Sequence, residues 1–147
     1  MGPLANTTDA KLCEGVGMDK TTDLNGAHTE ALALFRSLPA GYESHVVRNG
    51  TLIFAEAAPA KSDQFEFDLT IEDCDIRNPG KAKRGITAAR FRSLTIRDST
   101  IEHDFVFDRC TFAGDFSIEI VELRGTLDLR SCTFESGLPI LYRVWSK

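Results

Sequence analysis

The stretch Leu94-Thr95-Ile96-Arg97-Asp98-Ser99-Thr100-Ile101 decides the fold, because Leu69-Thr70-Ile71-Glu72-Asp73-Cys74-Asp75-Ile76 is a near-copy of it. In both, apolar residues at the first and third positions alternate with polar ones, as along a strand. The small residue and the last apolar residue then fall at the sixth and eighth positions. Parity slips by one between the third and sixth. A straight strand cannot turn all four side chains to one face, so the chain has to bend there.

The same spacing runs on toward the C-terminus. Leu94, Phe105, Phe116, Leu127 and Leu138 are eleven residues apart, as are Ile96, Phe107, Ile118, Leu129 and Ile140, and Ile101, Phe112, Leu123, Phe134 and Trp145. All fifteen positions are apolar in a chain that is 42% apolar; chance gives roughly 10⁻⁴ after allowing for the frames searched. A longer unit is nested inside. Phe107, Cys110 and Phe112 return as Leu129, Cys132 and Phe134, and Ile86, Ala89 and Phe91 precede them. The unit is therefore about 22 residues, two similar halves each with a corner. Residues 78–85 are read as a loop inserted in the first unit.

Strand, corner, strand, repeated twice per unit, predicts a mainly β fold: a short parallel β-helix or solenoid with like residues in ladders about 4.8 Å apart. Inward columns are expected from Leu69, Leu94, Phe116 and Leu138, from Ile71, Ile96, Ile118 and Ile140, and from Ile76, Ile101, Leu123 and Trp145. Outward, Glu72, Arg97 and Glu119 alternate in sign, as do Arg77, Glu102 and Arg124, and Asp108 faces Arg130. Opposite charges on adjacent strands set register, because a slipped coil brings like charges together. Arg143 falls where a small inward residue is expected, so the last coil should deviate. The alternative is an antiparallel β-meander turning at residues 113–115, 124–126 and 135–137.

In coil length and inward ladders, residues 65–145 resemble the right-handed parallel β-helix proteins, the fold of pectate lyases and of many bacterial adhesins and phage spikes. The resemblance lies in the fold and includes no family signature. The pentapeptide-repeat pattern is absent, since eleven is not a multiple of five.

Toward the N-terminus the reading is coarser. Residues 1–25 are polar and without period, and are expected to be a flexible leader. Residues 26–64 are expected to be a cap: a helix over 27–38 with Ala31, Leu34, Phe35 and Leu38 on one face, then a hairpin. The hairpin is predicted from Asn49-Gly50 between two apolar runs, the pair a type I′ turn favours. The solenoid, 65–147, stops in mid-coil. From this the natural chain is expected to continue, as the N-terminal part of a larger protein, or another chain is expected to cover that end.

Composition narrows the function classes. The 147 residues suit one domain. No apolar run is long enough for a membrane span, and no cleavable signal peptide is visible, so the expected location is cytoplasmic or exported without such a signal. The four cysteines are spaced 61, 36 and 22 residues apart with no C-x-x-C pair, so neither a metal site nor a cofactor is expected. Cys110 and Cys132 should stack inward as small hydrophobes, with a disulfide between them the alternative in an oxidising compartment.

The net charge is −5, yet Arg77, Lys81, Lys83, Arg84, Arg90, Arg92 and Arg97 fall in a stretch without one acidic residue. The charge ladders pair Arg77 and Arg97. Lys81, Lys83, Arg84, Arg90 and Arg92 are left as a candidate binding site for an acidic ligand. Aromatic interleaving is missing and the chain is acidic, so no nucleic-acid partner is expected. Asp73 and Asp98 should stack at a corner. They form the candidate pair for a carbohydrate-active domain acting on an acidic polysaccharide, two close carboxylates raising one another's pKa; Asp is equally a corner residue. Leu138, Ile140 and Trp145 mark the edge left open for self-association or continuation. The expected function is thus a non-catalytic β-solenoid interaction or scaffold domain, self-associating or binding another protein. Its polar leader also suits an exported bacterial virulence factor.

Overall fold

A computed structural model describes residues 18–54, 62–78 and 84–146. Its elements are β1 (Asp19–Asp23), β2 (His28–Glu30), α1 (Ala31–Ser37), β3 (Ser44–Ile53), β4 (Gln64–Arg77), β5 (Arg84–Thr87), β6 (Arg90–Ile101), β7 (Phe105–Asp108), β8 (Thr111–Phe112), β9 (Phe116–Leu123), β10 (Leu127–Arg130), β11 (Thr133–Phe134) and β12 (Ile140–Ser146). Among the described residues every strand pairing is parallel. Strands β5, β7 and β10 form one sheet and the other nine form a second. The chain is a parallel β-solenoid of about 5 turns, with equivalent positions about 23 residues apart. The meander is excluded: the segments read as its turns are corners between stacked strands.

The parity slip has one cause. At the fifth position of each half, between the two inward pairs, a single residue takes left-handed backbone geometry. In the first corner these are Asn49, Asp73, Asp98, Ile120 and Arg143, with φ of 62, 53, 51, 58 and 52°. In the second they are Ala88, Arg109 and Ser131, at 56, 56 and 55°. One such residue turns the strand direction without breaking the ladder, so the sixth and eighth side chains point inward again. Asn and Asp tolerate this geometry best, and they fill three of the five places in the first corner.

Inside, the register builds continuous columns. Val47, Ile71, Ile96 and Ile118 follow one another and are all buried. Phe65, Phe91, Phe112 and Phe134 stack with centroids 5.2, 5.4 and 5.3 Å apart, the last two pairs with nearly parallel rings. Gly50, Cys74, Ser99, Val121 and Val144 form the small column. Cys110 and Cys132 lie in the other small column as free thiols. Burial pushes the Cys110 thiol up to about 12 and raises those of Cys74 and Cys132.

Four expectations are corrected. First, Asn49-Gly50 is no hairpin: β3 continues through it without reversing, parallel to β4. Asn49 has the positive φ that a type I′ turn also demands, but it serves as a corner. Gly50 is small because Leu24 lies against it, where an added Cβ would sit 2.5 Å from the leucine Cβ. Second, the coils begin earlier than residue 65. β1 pairs with β3 from Asp19 to Asp23, and β2 pairs with β3 beyond the corner. Residues 19–25 are thus a coil rather than leader, and the expected cap is largely coil as well; residues 1–17 lie outside the described residues. Third, the helix is only Ala31–Ser37, because His28–Glu30 is held as strand. Glu30 caps it by accepting from the Ala33 N–H at 2.9 Å. Ala31, Leu32 and Phe35 are buried, and Phe35 packs on Phe54 and Phe65; Leu34 and Leu38 are only partly so.

The fourth correction concerns the last coil. Ile140 pairs with Ser117, Leu141 with Ile118, and Trp145 with Glu122. Each is one residue out of the register that the repeat predicts. Ile140 and Trp145 therefore point outward, and Leu141, Val144 and Ser146 continue the inward columns.

Candidate functional site

Three surfaces were legible as candidates, and the coils place each. At the first corner, Asp73 and Asp98 follow one another on adjacent coils, both exposed. With Asn49, Thr51, Asp75 and Thr100 they line an open depression of about 300 Å³. Its backbone is braced from below: Ser99 Oγ accepts from the Cys74 N–H at 3.1 Å and donates to the Arg97 carbonyl at 2.7 Å. The two aspartates are brought together as expected. What the structure shows them doing is holding left-handed corner geometry.

The basic stretch is divided differently from the prediction. Lys81 and Lys83 lie outside the described residues, and Arg84 begins β5 beside Phe105. Arg90 and Arg92 do not stand unpaired. Arg90 makes two bonds to Glu135, at 3.1 and 3.2 Å. Arg92 reaches Asp68 at 3.1 Å and Glu43 at 3.3 Å. Hydrogen-bonded carboxylates raise both guanidinium pKa values, and Arg90 in turn holds the Glu135 carboxyl below its usual range. Glu135 and Glu43 lie two coils away, and Asp68, on the adjacent coil, stands opposite Ser93 and not Arg92, so a ladder of directly opposed residues could not reveal them.

The lateral charges are otherwise ordered as read. Along one outer face, Asp23, Arg48, Glu72, Arg97 and Glu119 succeed one another in register with alternating sign. Glu72 bonds Arg97 at 2.8 Å and lies 4.0 Å from Arg48. Asp23 is held below the usual carboxylate range, chiefly by the Asn25 N–H and the Asn49 amide, with Arg48 contributing. On the next face Arg124 meets Glu102 at 3.1 Å as expected, but Arg77 lies 3.8 Å from Asp75 and Arg130 2.8 Å from Asp128, each on its own strand and not on the cross-coil partner that the ladders predict. Exposed pairs of this kind add little stability each. Only the cross-coil pairs bear on register.

The third surface is the C-terminal coil. Leu138, Ile140, Leu141, Tyr142 and Trp145 are 89, 47, 58, 52 and 47% exposed. Leu138, Ile140 and Trp145 were expected here; Leu141 and Tyr142 were not. Ile120, one strand back, adds a partly exposed apolar corner. Beneath them Leu127, Leu129, Phe134 and Val144 are only partly buried, because no further coil lies over them among the described residues. The opposite end differs. There α1 lays Ala31, Leu32 and Phe35 against the first coils.

Among the described residues, no group of three or more His, Cys, Asp or Glu side chains could hold a metal ion, and no helix is long and apolar enough to cross a membrane. Comparison with family models, with curated proteins and with solved structures finds no match to this chain. The class that the coordinates define is a parallel β-solenoid, and that class is shared by unrelated activities.

Proposed function

We propose that this chain is a self-associating interaction module whose contact surface is the C-terminal coil and whose partner there is a second copy of itself. The observation that carries the reading is the concentration of exposed apolar side chains, Leu138, Ile140, Leu141, Tyr142 and Trp145, on one end of the molecule. Clustered apolar exposure of this kind marks an association surface. The lateral faces offer a contrast, since their charges are ordered in compensating ladders.

Two considerations favour a second copy. The strand β12 has a single charged residue, Arg143, whose guanidinium lies 5.4 Å from the Tyr142 ring centre; an apolar end meets its own equivalent with little charge mismatch. Head-to-tail stacking is disfavoured because the strand at the other edge of the stack, β1, is polar throughout and exposed. An end-to-end contact between like coils closes as a dimer, whereas head-to-tail contact propagates into fibres.

Sedimentation velocity from micromolar to near-millimolar concentration tests this. A concentration-dependent dimer is expected, lost in Leu141→Glu and Trp145→Glu variants. A monomer throughout, or equal association in both variants, overturns the reading.

A further inference from the structure

The last strand stands in a register that the repeat does not predict. From β7 to β10 and from β8 to β11 the offset is 22 residues; from β9 to β12 it is 23. The extra residue is taken up in the corner before β12. Three residues, 113–115, separate Phe112 from Phe116, but four, 135–138, separate Phe134 from Pro139, which aligns with Phe116. Gly137 within that corner has a φ of 149°, where side chains are strained, and open space around it.

We infer that Pro139 and Arg143 form a register lock that holds β12 one residue out of the repeat and so turns Ile140 and Trp145 outward. Consider the slipped alternative, with Ile140 beside Ile118. Arg143 would then lie beside Val121, which is fully buried, and its guanidinium would enter the small inward column without a partner. In the observed register Arg143 takes the corner, with a φ of 52° and its side chain in solvent, and Val144 fills the column.

Pro139 acts through the backbone. Amides at successive positions point alternately to the preceding and the following coil. The Asp68 N–H bonds back to Glu43 at 3.0 Å, and the Leu94 N–H bonds forward to Asp115 at 3.0 Å. Phe116 and Pro139 align with Leu94, so the amide hydrogen that Pro139 lacks belongs to the free edge. One residue of slip would move Pro139 to a position whose amide bonds back to β9, and that bond would be lost. The apolar content favours the repeat register, since Leu138, Ile140 and Trp145 would all turn inward. Two residues oppose it. The lock is independent of what binds the terminal coil.

The test reads register directly. Neighbouring residues in paired strands lie within disulfide reach when their side chains share a face. Glu119→Cys with Tyr142→Cys reports the observed register, and Glu119→Cys with Leu141→Cys reports the slipped one, the links being identified by peptide mass. Trp145 is the only tryptophan, so its emission follows the same change. In the native chain and in Arg143→Lys, the first pair alone should crosslink. In Pro139→Ser/Arg143→Val, crosslinking should transfer to the second pair and Trp145 emission should shift to the blue. If that double variant does not fold, Arg143→Val alone is read the same way. Retention of the Glu119/Tyr142 link with unchanged emission in a folded variant overturns the lock, as does equal formation of both links in the native chain.

Discussion

Replacing Phe112 by alanine should cost far more than the same change at Phe134, although the two occupy one column. Phe112 is fully buried. Its ring is sandwiched between Phe91 and Phe134, at 5.4 and 5.3 Å and within 9° of parallel, and is met by Phe107 and Phe116 at 5.9 and 4.6 Å. A collapsed site is hard to form there, since rigid coils hold the neighbours on both sides. The expected loss is about 3–5 kcal/mol. Phe134 touches only Phe112 and Phe116 among the rings and is half-covered, so about half of that, ~1.5–2.5 kcal/mol, is expected by burial. Urea unfolding followed by circular dichroism measures both. With a slope of about 2 kcal/mol per molar, Phe112→Ala should lower the midpoint by roughly 2 M. In a stack of coils each coil is coupled to its neighbours only, so a break in the middle uncouples the two halves, whereas one at the end frays a single coil. A Phe134→Ala loss equal to or above that of Phe112→Ala would refute the reasoning, because the terminal ring would then have to be covered.

Three further outcomes follow from the same geometry. Asp98 holds a left-handed φ of 51° with its side chain exposed, so Asp98→Asn should leave stability unchanged while Asp98→Val costs about 1–2 kcal/mol; equal urea midpoints for the two variants would remove the backbone role. His45 is buried with Nε2 3.0 Å from the Pro39 carbonyl and Nδ1 without a partner, and burial, with a smaller contribution from Lys20, holds its pKa below 6.5 against the opposing Pro39 bond. The unfolded chain then binds the proton first, so the stability is present above pH 6.5 and is lost as pH falls through the folded-state pKa; His45→Phe, which suits its Tyr42 and Phe67 neighbours, should remove that part of the pH dependence, and an unchanged slope between pH 7 and about 5 contradicts it. Finally, a Cys110 thiol pushed up to about 12 is thiolate to only about one part in ten thousand at pH 8, so a thiol reagent should label it in urea and not in the folded chain; rapid native labelling at Cys110, mapped by peptide mass, would be incompatible with its burial.

The solenoid was legible because its inward columns are apolar at a fixed spacing, and a period of that kind survives without any alignment. What was hidden had physical causes. β1 is polar on both faces, so it joins the coil by backbone bonds to β3, which leave no periodic trace in Asp19–Asp23. Asn49-Gly50 misled because a hairpin turn and a solenoid corner ask the same positive φ of the asparagine. Arg90 looked free because Glu135 lies 45 residues away; Arg92 did because Glu43 lies 49 residues away and Asp68, one coil back, is in register with Ser93 and not with Arg92. Of the candidate sites, the corner aspartates and the apolar end were both found in sequence. Leu141 and Tyr142 were missed, since only the shifted register shows which face of β12 each residue occupies.

These features bear on where specificity can reside in such a molecule. Along its sides each coil repeats the last, and alternating charges join neighbours to one another rather than to a visitor. The ends break the repeat. At one, the edge strand β1 is polar and exposed; at the other, β12 stands one residue out of the repeat register. In the repeat register Leu138, Ile140 and Trp145 would lie in the inward columns. The observed strand instead departs from the column and presents Ile140, Tyr142 and Trp145 outward. The shifted register therefore decides which β12 side chains face outward, and it places the most informative substitutions in that strand.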